Sequence, residues 1–431
     1  KNKFEHRGRI NESGHYKAPL KTTKAWAREV KALGGLPFTY LQPGMRSEDY
    51  AEKFPGHMLF NHSKAPQLDK KGDTLFHSPN HWHEYRRGKM KKHSYDYTDP
   101  DFKAHLDNVY ENLEDAGIKG IMYDFPDMAW PYAGGLENQY ATAGLAYRNI
   151  YSIARKNMGA NIYIHERNLR LGSDLTLGVV SSHRILGDND KMNPTLIGRS
   201  GLRWYKNRVV INYDMDAKNL FKTSPDNKDG RRAMLTMLYV TSGRFLMANS
   251  FKEVIKDTSL YYDFTRIFPF HKTHQSARPV NAFTGNPYPT IFDYPVDSGW
   301  HQVTFYNTSL SNGNWTHWGK NFHQPDSGKQ IAATMAVNMS GKPGFGGLGL
   351  DPDKSYYAYD FWNDHFIGEI DGQNKFVQEL RPGEARMVSL HQVKVYPQFL
   401  STNRHIMQGL VDLIQKPKWD PNTSTLSGRS I

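Results

Sequence analysis

Two short segments of the sequence each run out of an apolar, strand-like stretch and end on an aspartate. The first runs from Gly117 to Asp124 and the second from His183 to Asp188. In a parallel α/β barrel, the residue at the carboxyl end of a strand projects into the mouth of the active site. Two carboxylates brought to one mouth by different strands suit glycosidic bond cleavage, with one as nucleophile and the other as proton donor. The pattern predicts these roles for Asp124 and Asp188.

The neighbours of the two aspartates leave both available for chemistry. An aspartate after a buried strand can instead cap the next helix, but Asp127 is better placed for capping. Gly187 lets a ligand approach the second aspartate closely. Arg184 can hydrogen-bond a substrate hydroxyl or a carboxylate. Asp190 is the second choice for the acid/base role.

Other strand-like stretches also end on polar residues. His165, Glu166 and Arg167 follow one of them and are expected to face the site, with a structural ion pair as the alternative. Asn212 to Asp216 ends another, where Asp214 and Asp216 are possible hydroxyl ligands. The predicted substrate-binding residues are Tyr40, Met122, Asp127, Trp130, His165, Glu166, Arg167, Arg184, Asp190, Asn212 and Asp214.

Two further polar clusters are given structural interpretations. Four histidines, His77, His81, His83 and His93, lie in a basic loop whose spacing fits no metal template. No metal and no cofactor are therefore predicted. The segment from Asp360 to Asp364 is interpreted as a turn.

The composition limits the possible partners. The 431 residues include 55 Lys+Arg and 43 Asp+Glu, a formal charge of +12 that favours an anionic partner. Aromatic residues make up 13% of the chain, as suits a sugar-binding cleft. They form no recognisable nucleic-acid module, so nucleic acid is disfavoured. The absence of cysteine excludes disulfides, cysteine nucleophiles and thiolate metal sites.

No apolar run is long enough for a membrane span, and no signal peptide is visible. The chain begins at Lys1, so a mature or fragmentary form is expected, with a periplasmic or extracellular location. The oligomeric state is left open.

Helix-like and strand-like segments alternate over the first part of the chain. About six strands can be recognised where a closed barrel needs eight, so an early strand is unrecognised or precedes Lys1. The predicted helices are 22–33, 100–116, 141–156 and 231–242, and the predicted strands are 36–41, 118–123, 161–165, 177–182, 209–212 and 245–247.

After about Arg278 short alternating runs separated by turns predict an antiparallel β-sandwich. The expected fold class is α/β, a TIM-type (β/α)8 barrel followed by that sandwich. The domain boundaries are a catalytic barrel at 1–277, a β-sandwich at 278–400 and an extension at 401–431. The extension begins with an amphipathic piece at 406–414.

At its strand ends the chain resembles the α-galactosidase clan, glycoside hydrolase families 27 and 36. The nucleophile of that clan stands in a K-Y-D or K-I-D strand end, matched by Met122, Tyr123 and Asp124. Its acid/base stands in R-x-x-G-D, matched from Arg184 to Asp188. A C-E-W segment is matched only at Glu166, and an N-D-P-D segment loosely at 212–216.

The resemblance implies a retaining mechanism in which Asp124 forms a glycosyl-enzyme and Asp188 acts as acid and then base. One departure concerns the lysine of the clan that contacts galactose hydroxyls, which is Met122 here. Together with the positive charge, this favours an anionic or modified galactoside in an oligo- or polysaccharide.

The leading interpretation is therefore a retaining exo-acting α-glycosidase. The alternatives are a transglycosylase, a glycosidase for another sugar, and a non-catalytic carbohydrate-binding protein on a barrel scaffold. The presence of both aspartates argues against the last.

Overall fold

The chain forms two compact units, residues 1–184 and 185–431. The predicted boundary between 277 and 278 stays a prediction. The computed structural model describes residues 22–44, 46–47, 50, 53–59, 92–131, 135–167, 173–185, 194–216, 228–240, 244, 246, 248–267, 276–285, 288–311, 329–403 and 413–430.

The first unit alternates strands and helices along the chain. The helices and strands of this unit are α1 (Thr23–Ala32), β1 (Phe38–Leu41), β2 (Arg46–Ser47), β3 (Lys92–His93), α2 (Pro100–Asp115), β4 (Gly120–Asp124), α3 (Ala143–Met158), β5 (Tyr163–Arg167) and β6 (Ser182–Arg184). Strands β1, β4, β5 and β6 lie side by side in this order and are parallel.

Helix α2 follows from local sequence signals. Asp99 caps it by accepting the Phe102 amide at 2.6 Å, and Pro100 takes the first helical position, where no amide donor is needed. Its buried residues Phe102, Leu106, Tyr110 and Leu113 recur at helical spacing. The helix therefore has one apolar, buried face, and strand β4 follows it in the chain.

A glycine in β4 leaves space for an aromatic ring of the neighbouring strand β1. A Cβ atom at Gly120 would come within 2.3 Å of the Phe38 ring, which lies directly over this position. Phe38 is also the register partner of Gly120 in the parallel ladder. The glycine thus leaves room for the Phe38 ring where the strands that carry Tyr40 and Asp124 lie side by side.

The second unit contains helices followed by antiparallel sheets. The amide of Ile185 donates to the Asp214 carbonyl at 2.8 Å, and the Arg244 amide donates to the Tyr213 carbonyl at 3.0 Å. The elements before the antiparallel sheets are α4 (Pro194–Gly201), β7 (Asn212–Asp214), α5 (Lys228–Val240), α6 (Phe251–Lys256) and α7 (Thr258–Thr265). None of the described helices is long and apolar enough to cross a membrane.

The antiparallel part is a sandwich of a six-stranded sheet, ordered β13-β12-β15-β10-β9-β8, and the pair β11-β14. Val303 and Phe305 of the larger sheet share one core with Val337 and Phe376 of the pair. A separate hairpin, β16-β17, follows. The strands are β8 (Arg278–Pro279), β9 (Ile291–Asp297), β10 (Trp300–Tyr306), β11 (Ala333–Pro343), β12 (Ser355–Asp360), β13 (His365–Asp371), β14 (Lys375–Leu380), β15 (Ala385–Gln392), β16 (Leu413–Asp420) and β17 (Thr425–Ser430).

Several predicted elements need correction. The run 177–182 is not a strand, because residues 177–179 form a turn in which Val179 is buried. The strand predicted at 209–212 lies at Asn212–Asp214, after a turn at 208–210. Positions 245 and 247 lie outside the described residues, as do positions 406–412 of the predicted amphipathic piece, whose end belongs to strand β16.

The predictions of a turn and of a helix cap have opposite outcomes. The turn at 360–364 is confirmed, and the Asp360 carboxylate accepts the Asn363 amide at 3.2 Å. The capping prediction for Asp127 is wrong, because this residue lies inside the 3-10 helix Pro126–Ala129, whose N-cap is Phe125.

A buried arginine on α5 forms an ion pair with α7 and a hydrogen bond to the turn after β12. Arg232 Nε lies 2.9 Å from Asp263 Oδ1, and Arg232 Nη1 donates to the Trp362 carbonyl at 2.9 Å. Replacing Arg232 with methionine leaves the carboxylate of Asp263 buried without this cation. We expect a loss of about 3–5 kcal/mol in the free energy of unfolding, measured by urea denaturation. Lys228→Met, an exposed change on the same helix, is the control, and equal losses would contradict the prediction.

A buried histidine makes the stability of the second unit depend on pH. Burial lowers the pKa of His391 to about 4, although the Leu400 carbonyl at 2.7 Å opposes the shift. Because the folded pKa lies below the unfolded value near 6.5, the stabilisation is complete above pH 6.5 and is lost as the pH falls towards 4.

We expect the wild type to lose about 3 kcal/mol of unfolding free energy between pH 7 and pH 4 through this residue. In denaturation curves, His391→Gln should lose correspondingly less over the same interval. Parallel curves for the two proteins would refute the assignment.

Candidate active site

Strand β4 places Asp124 at its carboxyl end with the carboxylate on the face opposite the α2 helix. Tyr123 is buried on the helix side, where its hydroxyl lies 2.7 Å from that of Tyr110. Because side chains alternate along a strand, Asp124 points to the other face. The strand then ends at Phe125, which has a left-handed φ of 54° and is followed by Pro126.

Two side chains from neighbouring strands contact one oxygen of the Asp124 carboxylate. The Tyr40 hydroxyl donates to Oδ2 at 2.8 Å, and Arg167 Nη1 lies 3.3 Å from the same atom. The Phe125 amide donates to Oδ1 at 3.2 Å. Asp124 is only 6% exposed, so these donors fix the orientation of a nearly buried carboxylate. The structure thus brings together three predicted site residues.

The Tyr40 hydroxyl belongs to a short chain of hydrogen bonds. Gln42 Nε2 donates to Tyr40 Oη at 2.9 Å, and Tyr40 in turn donates to Asp124. Partial burial and, to a lesser extent, the charge of Asp124 raise the pKa of Tyr40 to about 12. The phenol therefore stays protonated, and remains a donor, at any pH near neutrality. Gln42 was missed at the sequence level, because nothing in its Pro-Gly turn indicates this contact.

Glu166 faces the other side of the sheet from Arg167. It is fully buried and accepts hydrogen bonds from the hydroxyl groups of Tyr147 on α3 and Thr176, the latter at 2.6 Å. His183 Nε2 lies 3.9 Å from Glu166 Oε2. Within the described residues these contacts place the carboxylate in the layer between sheet and helix, and not beside Asp124.

The remaining predicted residues of the first unit occupy several environments. His165 is fully buried, with Nδ1 2.7 Å from Ser182 Oγ, and it is the register partner of half-buried Met122. Arg184 is buried in β6. The half-buried Trp130 ring has its centroid 5.5 Å from that of Tyr147.

The predicted acid/base residues Asp188 and Asp190 lie outside the described residues, as do His77, His81 and His83. Their predicted roles stay predictions. Among the residues that the structure describes, no group of His, Asp and Glu side chains could hold a metal ion.

Asn212, Asp214 and Asp216 belong to the second unit. Asp214 is fully buried, with Oδ2 3.4 Å from Arg244 Nη1 and Oδ1 accepting the Asp216 amide at 2.6 Å. Asp216 is also buried and has a left-handed φ of 68°. These contacts tie the segment together locally, and its contact with substrate stays a prediction.

Removing the Tyr40 hydroxyl should weaken catalysis while leaving the fold intact. A hydrogen bond to a charged group is worth about 1.5–3 kcal/mol, so we expect Tyr40→Phe to lower kcat/KM by roughly tenfold or more. Tyr140→Phe is the matched control, because Tyr140 is 98% exposed. Equal rates for both variants would show that the Tyr40 contact is not used.

The sequence and the fold of the chain were compared with those of known proteins. No protein-family model and no curated protein matches the sequence. A GH27 β-L-arabinopyranosidase from Geobacillus stearothermophilus matches in structure with a TM-score of 0.59 at 14% identity, over 89% of this chain and 81% of that one. The α-galactosidase I of Mortierella vinacea matches with a TM-score of 0.51 at 13% identity, over 86% and 80%. The chain has the fold of the α-galactosidase clan.

A third structural match is a protein complexed with a sugar. The isomalto-dextranase of Arthrobacter globiformis T6, complexed with panose, matches with a TM-score of 0.54 at 14% identity, over 87% of this chain and 62% of that one. Identities this low concern the fold alone. They confirm the resemblance to the α-galactosidase clan at that level, and with it the predicted fold class of a (β/α)8 barrel followed by a β-sandwich.

Met122 occupies the position at which the α-galactosidase clan has a lysine, two residues before Asp124. Met122 and Asp124 lie on the same face of β4, by the alternation of side chains along the strand. Arg167, the register partner of Asp124 on β5, brings a guanidinium to that face instead. A cation therefore lies next to Asp124, although the sequence lacks the lysine of the clan.

Proposed function

We propose that this protein is a retaining, exo-acting α-glycosidase that removes terminal α-linked galactose, or a modified or anionic galactose, from an oligo- or polysaccharide. The observation that carries the proposal is the geometry of Asp124. Its carboxylate lies at the carboxyl end of a parallel strand, with Oδ2 held by Tyr40 and Arg167 and Oδ1 accepting the Phe125 amide. A nucleophile needs such a fixed orientation to reach the anomeric carbon.

The reaction proceeds in two displacements. Asp124 attacks the anomeric carbon and forms a covalent glycosyl-enzyme while Asp188 protonates the departing glycosidic oxygen. Asp188 then removes a proton from water, which attacks the same carbon and releases Asp124 as a carboxylate. The two inversions give a sugar with retained configuration. Tyr40 and Arg167 hold the carboxylate before attack and after release.

The substrate class follows from charge. The formal charge of +12 favours an anionic polysaccharide such as a sulfated or uronic galactan. Such a polymer occurs outside the cytoplasm, so a periplasmic or extracellular location is proposed with it. Two charged partners attract each other less as salt rises, and a neutral substrate lacks this dependence.

The test is hydrolysis of an aryl α-galactoside and of matched neutral and sulfated galactan oligosaccharides, at low and high ionic strength. We expect cleavage of at least one galactoside with retained configuration, and a rate on the sulfated oligosaccharide that falls as salt rises. Equal, salt-insensitive rates on both oligosaccharides would refute the anionic preference alone. Sugar binding without turnover of any substrate would favour a non-catalytic protein, and transfer to added acceptor sugars would favour a transglycosylase.

A further inference from the structure

The second unit contains a pocket of about 330 Å³ between the end of the six-stranded sheet and the C-terminal hairpin. Pockets of this order accommodate small ligands. None of the residues that line the pocket is Asp124, Asp188, Tyr40 or Arg167, which form the proposed catalytic site. The pocket lining combines aliphatic side chains with aromatic and polar ones, of which the most informative are Asp297, Trp300, His391, Gln392, Lys394 and Tyr396.

Two aromatic rings of this pocket each stack on a neighbouring ring. The Tyr396 ring lies parallel to that of Trp419, at an angle of 4° and a centroid distance of 6.2 Å. Trp300 stacks on His391 at 4.7 Å and donates its indole N–H to Ser389 Oγ at 2.8 Å. Tyr396 remains 36% exposed. The pocket therefore offers oriented ring surfaces, which lose little freedom when a ligand stacks on them.

The polar side chains beside these rings make few hydrogen bonds within the described part of the protein. Asp297 uses one carboxylate oxygen to accept the Gly299 amide at 2.9 Å. Among the described residues, its second oxygen, the side-chain amide of Gln392 and the ammonium of Lys394 make no hydrogen bond. Lys394 lies 5.6 Å from the centre of the Tyr396 ring. Carboxylate, amide and ammonium groups beside an aromatic ring suit a ligand that has both hydroxyl groups and an apolar face.

The charge of the pocket lining favours an uncharged ligand. Among the described residues that line the pocket, the carboxylate of Asp297 and the ammonium of Lys394 are the only formal charges and they cancel, because burial lowers the pKa of His391 and its ring is neutral near pH 7. The described lining thus has no net charge. A pyranose ring presents C–H groups for stacking and hydroxyl groups for hydrogen bonds, and it carries no charge itself.

We propose that this pocket is an accessory carbohydrate site, which binds a neutral pyranose unit of a polysaccharide by stacking on Tyr396 and Trp300 and by hydrogen bonds to Asp297 and Gln392. The inference rests on the proposed function only in taking a polysaccharide as the substrate. The site retains the polymer through its uncharged sugar units, while Asp124 cleaves it at the terminal galactose.

The test is affinity electrophoresis of the whole chain in gels that contain galactomannan, with a sulfated galactan as the charged comparison. The variants are Tyr396→Ala, Asp297→Ala and their combination, and Tyr261→Ala is the control because Tyr261 is 48% exposed on α7 of the same unit. Hydrolysis of a small aryl α-galactoside is measured in parallel, since it requires only the catalytic site. Thermal unfolding confirms that each variant is folded.

We expect the double variant to be retained by galactomannan about tenfold more weakly, with unchanged aryl galactoside hydrolysis and a normal Tyr261→Ala control. Retention of wild type and double variant to the same extent, no retention of the wild type, or retention only by the sulfated polymer would each overturn the accessory site. If retention depends on Tyr396 and Asp297 but no galactoside is hydrolysed, the site stands and the proposed function fails.

Discussion

Asp124→Asn is expected to lower kcat/KM for an aryl α-galactoside by about 10⁴-fold or more, because the amide can no longer attack the anomeric carbon. Asparagine has nearly the same shape as aspartate and still accepts a hydrogen bond, so the contacts from Tyr40 and Arg167 persist in part. We therefore expect unchanged thermal unfolding. The measurement is the initial rate of aryl release beside that of the wild type.

Asp124→Ala with added azide gives an independent readout of the same role. In the space left by the carboxylate, azide can attack the sugar from the same face, and one displacement yields the β-glycosyl azide. Identification of this inverted product by NMR would establish Asp124 as the nucleophile. An active Asp124→Ala variant, or a product of retained configuration, would contradict the assignment.

Asp188→Asn is expected to separate the two steps of the reaction. A dinitrophenyl leaving group departs without protonation, so the first step with that substrate should change little, whereas cleavage of a galactosyl disaccharide should fall by about 10²–10⁴-fold. Loss of the base slows the second step, so a burst of dinitrophenol should precede slow turnover. Stopped-flow absorbance and steady-state rates measure these quantities.

Asp190→Asn is the matched control for the acid/base assignment. Azide should restore turnover of Asp188→Asn and give an α-glycosyl azide, because it attacks the glycosyl-enzyme in the second displacement. We expect no such rescue for Asp190→Asn. If Asp190→Asn shows the burst and the rescue while Asp188→Asn behaves as the wild type, the acid/base role belongs to Asp190.

Much of the local structure could be predicted because its signals are local. The Asp-Pro start of α2 and the apolar residues spaced along it identify a helix without reference to the rest of the chain. The apolar stretch before Asp124 likewise identifies a buried strand that ends at this residue. The error at 177–182 has the same origin. An apolar run predicts burial, and Val179 and Val180 are buried, but burial alone does not distinguish a strand from a turn.

The side chain of Glu166 lies on the other face of its strand from those of His165 and Arg167. Consecutive ionisable residues at a strand end suggest a shared site, but side chains alternate along a strand, so Glu166 must point away from the side that His165 and Arg167 share. In the structure Glu166 accepts hydrogen bonds from Tyr147 and Thr176 instead.

The sequence by itself determined that Asp124 ends a buried parallel strand, and its few strand-end motifs pointed to the clan whose fold the chain has. Only the tertiary structure decided which side chains meet that carboxylate. Tyr40 and Arg167 lie 84 and 43 residues from Asp124 along the chain. Their contacts depend on the register of three neighbouring strands, which packing between distant segments sets, as where the Phe38 ring lies over Gly120. A local pattern places a residue on a strand, whereas its partners across the sheet follow from how the whole sheet packs.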